Sequence, residues 1–387
     1  LAALLLALFV AAPAGAAVEL PKIEARAWTL IDARTGETLA SHAVARPLPI
    51  ASTTKLMTAY VVLHELPLER VVHASRYHPE YGESLLGLRA GQRISVRDLL
   101  YGLVLRSGND AAYDLARAAA GSEPRFVAQM NRYAAALGLA DTHYANPIGL
   151  DQRGNHSSAR DLATLTRHLL AIPAFARIAD ARRAVLRSVR PRRRIESINE
   201  LLQMAPWVTG VKTGHTFGAL YVLVGSGRRN GVELISVAIG APTVEDRFRD
   251  NLDLLEYGFS RYRRRVPVRA GRALAEPSVR YAGGTLPLRA ARTVAVGLRP
   301  GQRLNVAVRT PGEVEGPIER GARLGMATVT VDGRRTATVA LRAGRAVPEA
   351  SALDRARSFA EENLVWFALF LSAILVSGAF LLRRIFR

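Results

Sequence analysis

Ser52 and Lys55 stand three residues apart in Ser52-Thr53-Thr54-Lys55, and Lys212 opens the segment Lys212-Thr213-Gly214. A hydroxyl becomes a nucleophile when a base takes its proton, and a lysine amine serves as that base once burial or a neighbouring cation lowers its proton affinity. Arginine cannot do this, because its guanidinium stays charged. The distinction matters in this chain: of 53 basic residues only Lys22, Lys55 and Lys212 are lysines, so two of the three fall where an acyl-transferring serine would need them. A third segment, Ser107-Gly108-Asn109, offers a hydroxyl that can relay a proton between Lys55 and a leaving amine, and a carboxamide that can hold an amide carbonyl. Each motif alone is common by chance, and only their combination in this order carries weight.

The elements that must position these residues can be read from periodicity and turn chemistry. Leu56, Ala59, Tyr60 and Leu63 share one stripe, which predicts a helix beginning at Ser52. Positions i and i+3 bring the amine to the hydroxyl, and the positive end of the helix disfavours a cation there. Ser95-Val96-Arg97-Asp98 has capping-box spacing and opens a helix to about Leu105; a second helix starts near Asn109, which makes Ser107 to Asn109 a tight interhelical loop. Ala27 to Asp32 and Glu37 to Ser41 flank Arg34-Thr35-Gly36 as a hairpin, and Leu220 to Ser226 and Val232 to Gly240 are apolar strands joined at Asn230-Gly231. Lys212-Thr213-Gly214 then lies on or just before a strand of an antiparallel sheet. Lys212 and Thr213 suit a substrate carboxylate, Gly214 lets a ligand approach the backbone, and the backbone N–H groups of Ser52 and His215 are candidate oxyanion donors. With a helix from about Glu245 to Tyr257, the fold class is α/β (α+β), helices packed on an antiparallel sheet.

Length and composition set the frame. At 387 residues with 49% hydrophobic content, the chain has room for more than one domain. The absence of cysteine excludes disulfides and thiolate metal sites, and no spaced cluster of histidines and carboxylates suggests a metal or cofactor. Residues 1–16 read as a secretory leader clipped at its start, ending in Ala14-Gly15-Ala16. Residues 364–382 are 19 residues without a charge, about 28 Å as a helix, followed by Arg383, Arg384 and Arg387. The positive-inside rule then keeps 383–387 cytoplasmic, makes 364–382 a C-terminal transmembrane anchor in the cytoplasmic membrane, and places the rest on the extracytoplasmic side. Net charge is +20, and from Arg261 to Pro348 there are 18 arginines against five acidic residues, a local net of +13. Outside the membrane such a surface faces anionic lipid or an anionic wall polymer and not nucleic acid. Alternating short strands make 261–348 a small all-β domain, with 17–260 the α/β catalytic domain and 349–363 a helix-prone stalk.

The chain resembles the low-molecular-weight penicillin-binding proteins, the serine D-alanyl-D-alanine carboxypeptidases that trim peptidoglycan stem peptides. Beyond the three motifs the resemblance includes Ala51 to Thr58, Ser107 to Ala112, Gly149-Leu150-Asp151, Ser157 to Asp161 and Lys212 to Thr216. It implies a β-lactamase/transpeptidase-like catalytic fold, with Ser52, Lys55 and Ser107 catalytic and Asn109, Lys212, Thr213, Gly214 and His215 binding substrate. Ser52 would be acylated by the penultimate D-Ala carbonyl, or by β-lactams as covalent inhibitors. Arg247 lies where the family places an arginine for the terminal carboxylate, with Arg249 as a rival. Two departures bear on substrate fit: Ala219-Leu220 stands for a usual Ala-Gly pair, and Ser197-Ile198-Asn199 for Asn-x-Asn. A peptidoglycan endopeptidase uses the same motifs. A β-lactamase would need a general-base glutamate, for which Glu196 and Glu200 offer no recognisable loop motif. A non-catalytic wall-binding scaffold is the reading from a different class.

Overall fold

The computed structural model describes residues 19–363, 368–369 and 372–374. The leader 1–16, most of the expected anchor 364–382 and the tail 383–387 lie outside the described residues, among which no helix is long and apolar enough to cross a membrane. The chain divides into two units, one ending at Tyr262 and the other beginning at Arg263.

The first unit is built on a five-stranded antiparallel sheet. Strands β1 (Ala27–Asp32) and β2 (Thr38–His42) form the expected hairpin. They are followed by the 3₁₀ turn Ala51–Thr54, helix α1 (Lys55–Glu65), a ribbon of β3 (Val71–His73) and β4 (Arg93–Ser95), and helices α2 (Val96–Leu105) and α3 (Asn109–Ala120). Helices α4 (Glu123–Ala136), α5 (Ala159–Leu170) and α6 (Pro173–Ala179) come next, then a ribbon of β5 (Arg183–Leu186) and β6 (Arg193–Glu196) and the short α7 (Leu201–Met204). Strands β7 (Val208–Thr216), β8 (Leu220–Arg229) and β9 (Val232–Ala241) complete the sheet in the order β2-β1-β9-β8-β7, and α8 (Val244–Ser260) closes the unit. Asn230 and Gly231, both at positive φ (53° and 79°), make the β8–β9 turn that Asn-Gly favours.

Successive residues of a strand point to opposite faces. In β1, Ala27 and Ile31 join one core with the residues of α1 to α6, while Trp28 and Leu30 join a second core with Leu254, Leu255 and Phe259 of α8. The sheet is therefore covered on both faces. This is why its central strands read as continuous apolar runs instead of alternating ones. Helix α1 differs from the single-stripe expectation: every residue from Lys55 to Val62 is buried, so its first two turns run through the core. Ser95 caps α2 by accepting from Asp98 N (3.2 Å), but the reciprocal half of the box is absent, because the Asp98 carboxylate accepts from Ser188 N (2.7 Å) and Oγ (2.6 Å).

The second unit holds a five-stranded sheet, ordered Ala273–Ala275, Leu288–Ala290, Arg334–Ala343, Arg323–Val331 and Leu304–Arg309, around a core of small aliphatic residues such as Val268, Leu288, Val329 and Leu341. From Arg263 to Arg345 every arginine except the half-buried Arg299 is exposed. The helix Ala352–Glu362 follows, opened by a capping box between Ser351 and Asp354.

Candidate active site

The segment before α1 is bent tightly. Ala51 has φ +46°, a conformation that L-residues with a side chain rarely adopt, and the chain then makes a 3₁₀ turn through Ser52 before the α-helix begins at Lys55. Ser52 thus lies one turn ahead of the α-helix and not on its first residue, as the periodicity suggested. The spacing still brings the groups together: Lys55 Nζ is 2.9 Å from Ser52 Oγ, and it also donates to the carbonyl of Ile148. That carbonyl sits in a loop fastened to α1 by Thr58 Oγ1, which donates to Pro147 O at 2.6 Å. Asn146 Oδ1 accepts from Gly149 N at 2.6 Å and shapes the same loop. Gly149 is at φ +89°, and a Cβ there would lie 2.1 Å from Ala51 O, so only glycine fits against the Ala51–Thr54 turn.

Lys55 is 1% exposed. Burial lowers its amine to about pKa 7, with the carboxylates of Glu83 and Asp110 pulling the other way. A neutral amine here has a lone pair for the Ser52 hydroxyl proton and an N–H for Ile148 O.

Strand β7 is the edge of the sheet and runs beside the Ala51–Thr54 turn. A Cβ on Gly214 would lie 3.0 Å from Ala51 Cβ and 3.1 Å from Ser52 N, so the glycine of Lys212-Thr213-Gly214 is required first for this close approach. Lys212, also 1% exposed, donates to Ser107 Oγ at 2.9 Å and to Thr213 O at 2.7 Å. Burial, then Lys55 and Arg247, push its proton affinity well below the ordinary lysine value. Ser107, at φ +57°, is buried in the α2–α3 connection. Its hydroxyl oxygen accepts from Lys212. Asn109, buried at the start of α3, commits Nδ2 to Glu83 Oε2 at 2.6 Å.

Arg247 and Arg249 separate cleanly. Arg247 is 9% exposed, donates from Nη1 to Gly214 O at 3.4 Å and lies over the Phe248 and Tyr221 rings, whereas the exposed Arg249 pairs with Asp246. His215 is exposed and stacks on Tyr221 with ring centroids 4.3 Å apart. A cleft of about 450 Å³ is lined by His215, Thr216 and Phe217 on one side and by Glu83, Leu150 and Asp151 on others. Leu220 adopts φ +55°, which explains why the family's usual glycine suits that position.

Three residues of this constellation were given no role in the motif reading. Ile148 contributes only a backbone carbonyl, and Asp110 accepts from the backbone N–H groups of Leu86, Gly87 and Leu88. Glu83, the third, lies in a stretch without periodicity. The one available signal was for Asp110, adjacent to Asn109 in the second motif.

The peptidase S11 family, described as D-alanyl-D-alanine carboxypeptidase, matches residues 14–243. The chain is 32% identical over 334 residues to the D-alanyl-D-alanine carboxypeptidase DacC of Escherichia coli, covering 82% of each chain. It is 29% identical over 320 residues to DacF of Bacillus subtilis, covering 80% of this chain and 82% of that one. Among solved structures, penicillin binding protein 5 from Haemophilus influenzae superposes with TM-score 0.60 at 28% identity, covering 86% of this chain and all of that one (100%). The pairing of Ser52 with the buried Lys55, the adjoining edge strand and these likenesses agree, and the chain belongs to the peptidase S11 family of D-alanyl-D-alanine carboxypeptidases.

Proposed function

We propose that this chain hydrolyses the terminal D-Ala from peptidoglycan stem peptides ending in D-Ala-D-Ala, through an acyl-enzyme on Ser52, and that β-lactams acylate the same oxygen. The observation that carries this reading is the buried amine of Lys55, 2.9 Å from Ser52 Oγ and lowered to about pKa 7. Ser52 Oγ attacks the penultimate D-Ala carbonyl while its proton passes to Lys55. Backbone N–H groups of Ser52 and His215 take the oxyanion. The C–N bond then breaks, and the departing nitrogen takes a proton from the Ser107 hydroxyl as the Lys55 ammonium returns one to Ser107, which leaves Lys55 neutral again; Lys212 supports Ser107 by donating to its oxygen at 2.9 Å. Water, deprotonated by Lys55, attacks the ester and frees Ser52. Thr213, Lys212 and Arg247 hold the terminal carboxylate, Asn109 holds the stem amide, and Gly214 admits the substrate to the strand edge.

The sequence supports a wider setting. The leader at 1–16, the uncharged run 364–382 and the arginines after it argue for a catalytic domain (17–260) and a basic β domain (261–348) held by a stalk (349–363) on the outer side of the cytoplasmic membrane. The function is tested by incubating the protein with a pentapeptide ending in D-Ala-D-Ala and assaying free D-alanine. Release that penicillin stops is expected. No release from the peptide, with cleavage of cross-linked dimers instead, would replace it by an endopeptidase.

A further inference from the structure

Residues 74–92 form a loop without regular secondary structure, closed at its base by Ala74 N donating to Gln92 O (2.8 Å) and Gly91 N to Ala74 O (2.7 Å). It is fastened to the start of α3 in three ways. Asp110 accepts from the backbone N–H groups of Leu86 (2.7 Å), Gly87 (2.7 Å) and Leu88 (2.9 Å). Asn109 N donates to Ser84 O at 2.8 Å. The last link joins two side chains, Asn109 Nδ2 donating to Glu83 Oε2 at 2.6 Å, and this one reaches a residue of the second motif.

Glu83 is itself held on both oxygens. The Tyr77 hydroxyl donates to Oε2 at 2.5 Å and Glu80 N donates to Oε1 at 2.8 Å. Burial pushes its carboxyl up, but the hydrogen bonds from Tyr77 and Asn109, and then the Glu80 N–H and Lys55, bring it below the usual range, so it is ionised at neutral pH. An ionised carboxylate can only accept, so the Asn109 amide must turn Nδ2 toward it. The consequence falls on the other end of that amide: Oδ1 is buried with no hydrogen-bond partner among the described residues, at a position 4% exposed. A buried acceptor left open needs an explanation, and at a substrate site the natural one is a donor that arrives with the ligand.

We propose that Glu83 is a positioning residue of this site, its carboxylate clamping the Asn109 carboxamide through one Nδ2 hydrogen so that Oδ1 and the second Nδ2 hydrogen are offered, already oriented, to a peptide group of the substrate. A peptide unit presents one N–H and one C=O, and an amide fixed in this way can meet both. The inference rests on the acyl-transfer reading of the site. The same carboxylate also acts on the base. Lys55 is faced by Ser52 and the Ile148 carbonyl, by the carboxylates of Glu83 and Asp110, and by the amine of Lys212; removing the charge of Glu83 takes away one of the two groups that favour its protonated form.

Two substitutions separate the effects. Glu83→Ala removes the clamp and should lower the rate of penicillin acylation, and kcat/KM for the stem peptide, by about 10- to 100-fold, the size expected of a misplaced positioning group. Glu83→Gln keeps an acceptor for Asn109 but not the charge. It should retain most of the rate while the acid limb of the pH profile moves to lower pH. In an Asn109→Ala background Glu83→Ala should add little further loss, since both changes remove one interaction. Should Glu83→Ala fail to fold, Tyr77→Phe, which withdraws one donor from the same oxygen, should act in the same direction with smaller size. Three results would overturn the proposal: Glu83→Ala within twofold of wild type, full additivity with Asn109→Ala, or normal acylation with deacylation abolished, which would make Glu83 a base. Because penicillin acylation is read separately from D-alanine release, a wild-type protein that binds penicillin but releases no D-alanine would sink the carboxypeptidase reading and leave the test of Glu83 intact.

Discussion

Positive charge is handled in opposite ways at the buried lysines of the first unit and on the surface of the second. In the first, Lys55 and Lys212 are each 1% exposed and are held by protein oxygens, Lys55 by Ser52 and Ile148 and Lys212 by Ser107 and Thr213. In the second, the arginines from Arg263 to Arg345 stand exposed around a core of small aliphatic residues, with Arg299 alone half-buried. A charge that stays in water keeps its proton and contributes field, whereas an amine taken out of water holds its proton less tightly and can take part in chemistry. The contrast explains why a chain with so much arginine has lysine at these two buried positions.

The comparison breaks most visibly at Lys55. Lys55→Arg should cut penicillin acylation by about 10³-fold or more, because a guanidinium cannot accept the Ser52 proton. Activity in that variant close to wild type would mean that another group is the base. Next in size is the packing behind the nucleophile. Gly149→Ala should destabilise the first unit by at least about 2 kcal/mol, read as a lower denaturant midpoint, since its Cβ meets Ala51 O at φ +89°. The smallest effect belongs to the second unit. Arg334→Gln with Arg335→Gln should leave soluble-peptide hydrolysis unchanged and shift stability by no more than about 0.5 kcal/mol, while weakening adsorption to anionic vesicles. Lost peptide hydrolysis in that folded variant would show that these arginines serve the chemistry.

How much of this was legible depends on the range of the interaction. Ser52 and Lys55 are close in sequence, and their helical spacing alone put the amine at the hydroxyl. The hairpin at Asn230-Gly231 and the strands around it were equally local. The pairing of Ser107 with Lys212 spans 105 positions and is set by how β7 lies beside the α2–α3 connection, which no local pattern encodes. Glu83 is the extreme case: an acid in an aperiodic loop becomes part of the site only through a bond to Asn109, 26 residues on. The all-round burial of α1 was missed for a related reason, since periodicity reports one apolar face and the first turns of this helix bury their polar residues Lys55 and Thr58 too. In the second unit, Arg334–Ala343 opens with two arginines that mask the alternation beginning after them.

The central claim is that Lys55 works as a neutral base because it is buried, and the pH dependence of Ser52 acylation tests it most directly. Its folded-state pKa lies below the ordinary lysine value, so the base form accumulates as pH rises through about 7. The rate of acylation by labelled penicillin should therefore fall on the acid side of that point and level off above it. A rate independent of pH down to 5.5, or one still climbing near 10 as for an unperturbed lysine, would contradict the account.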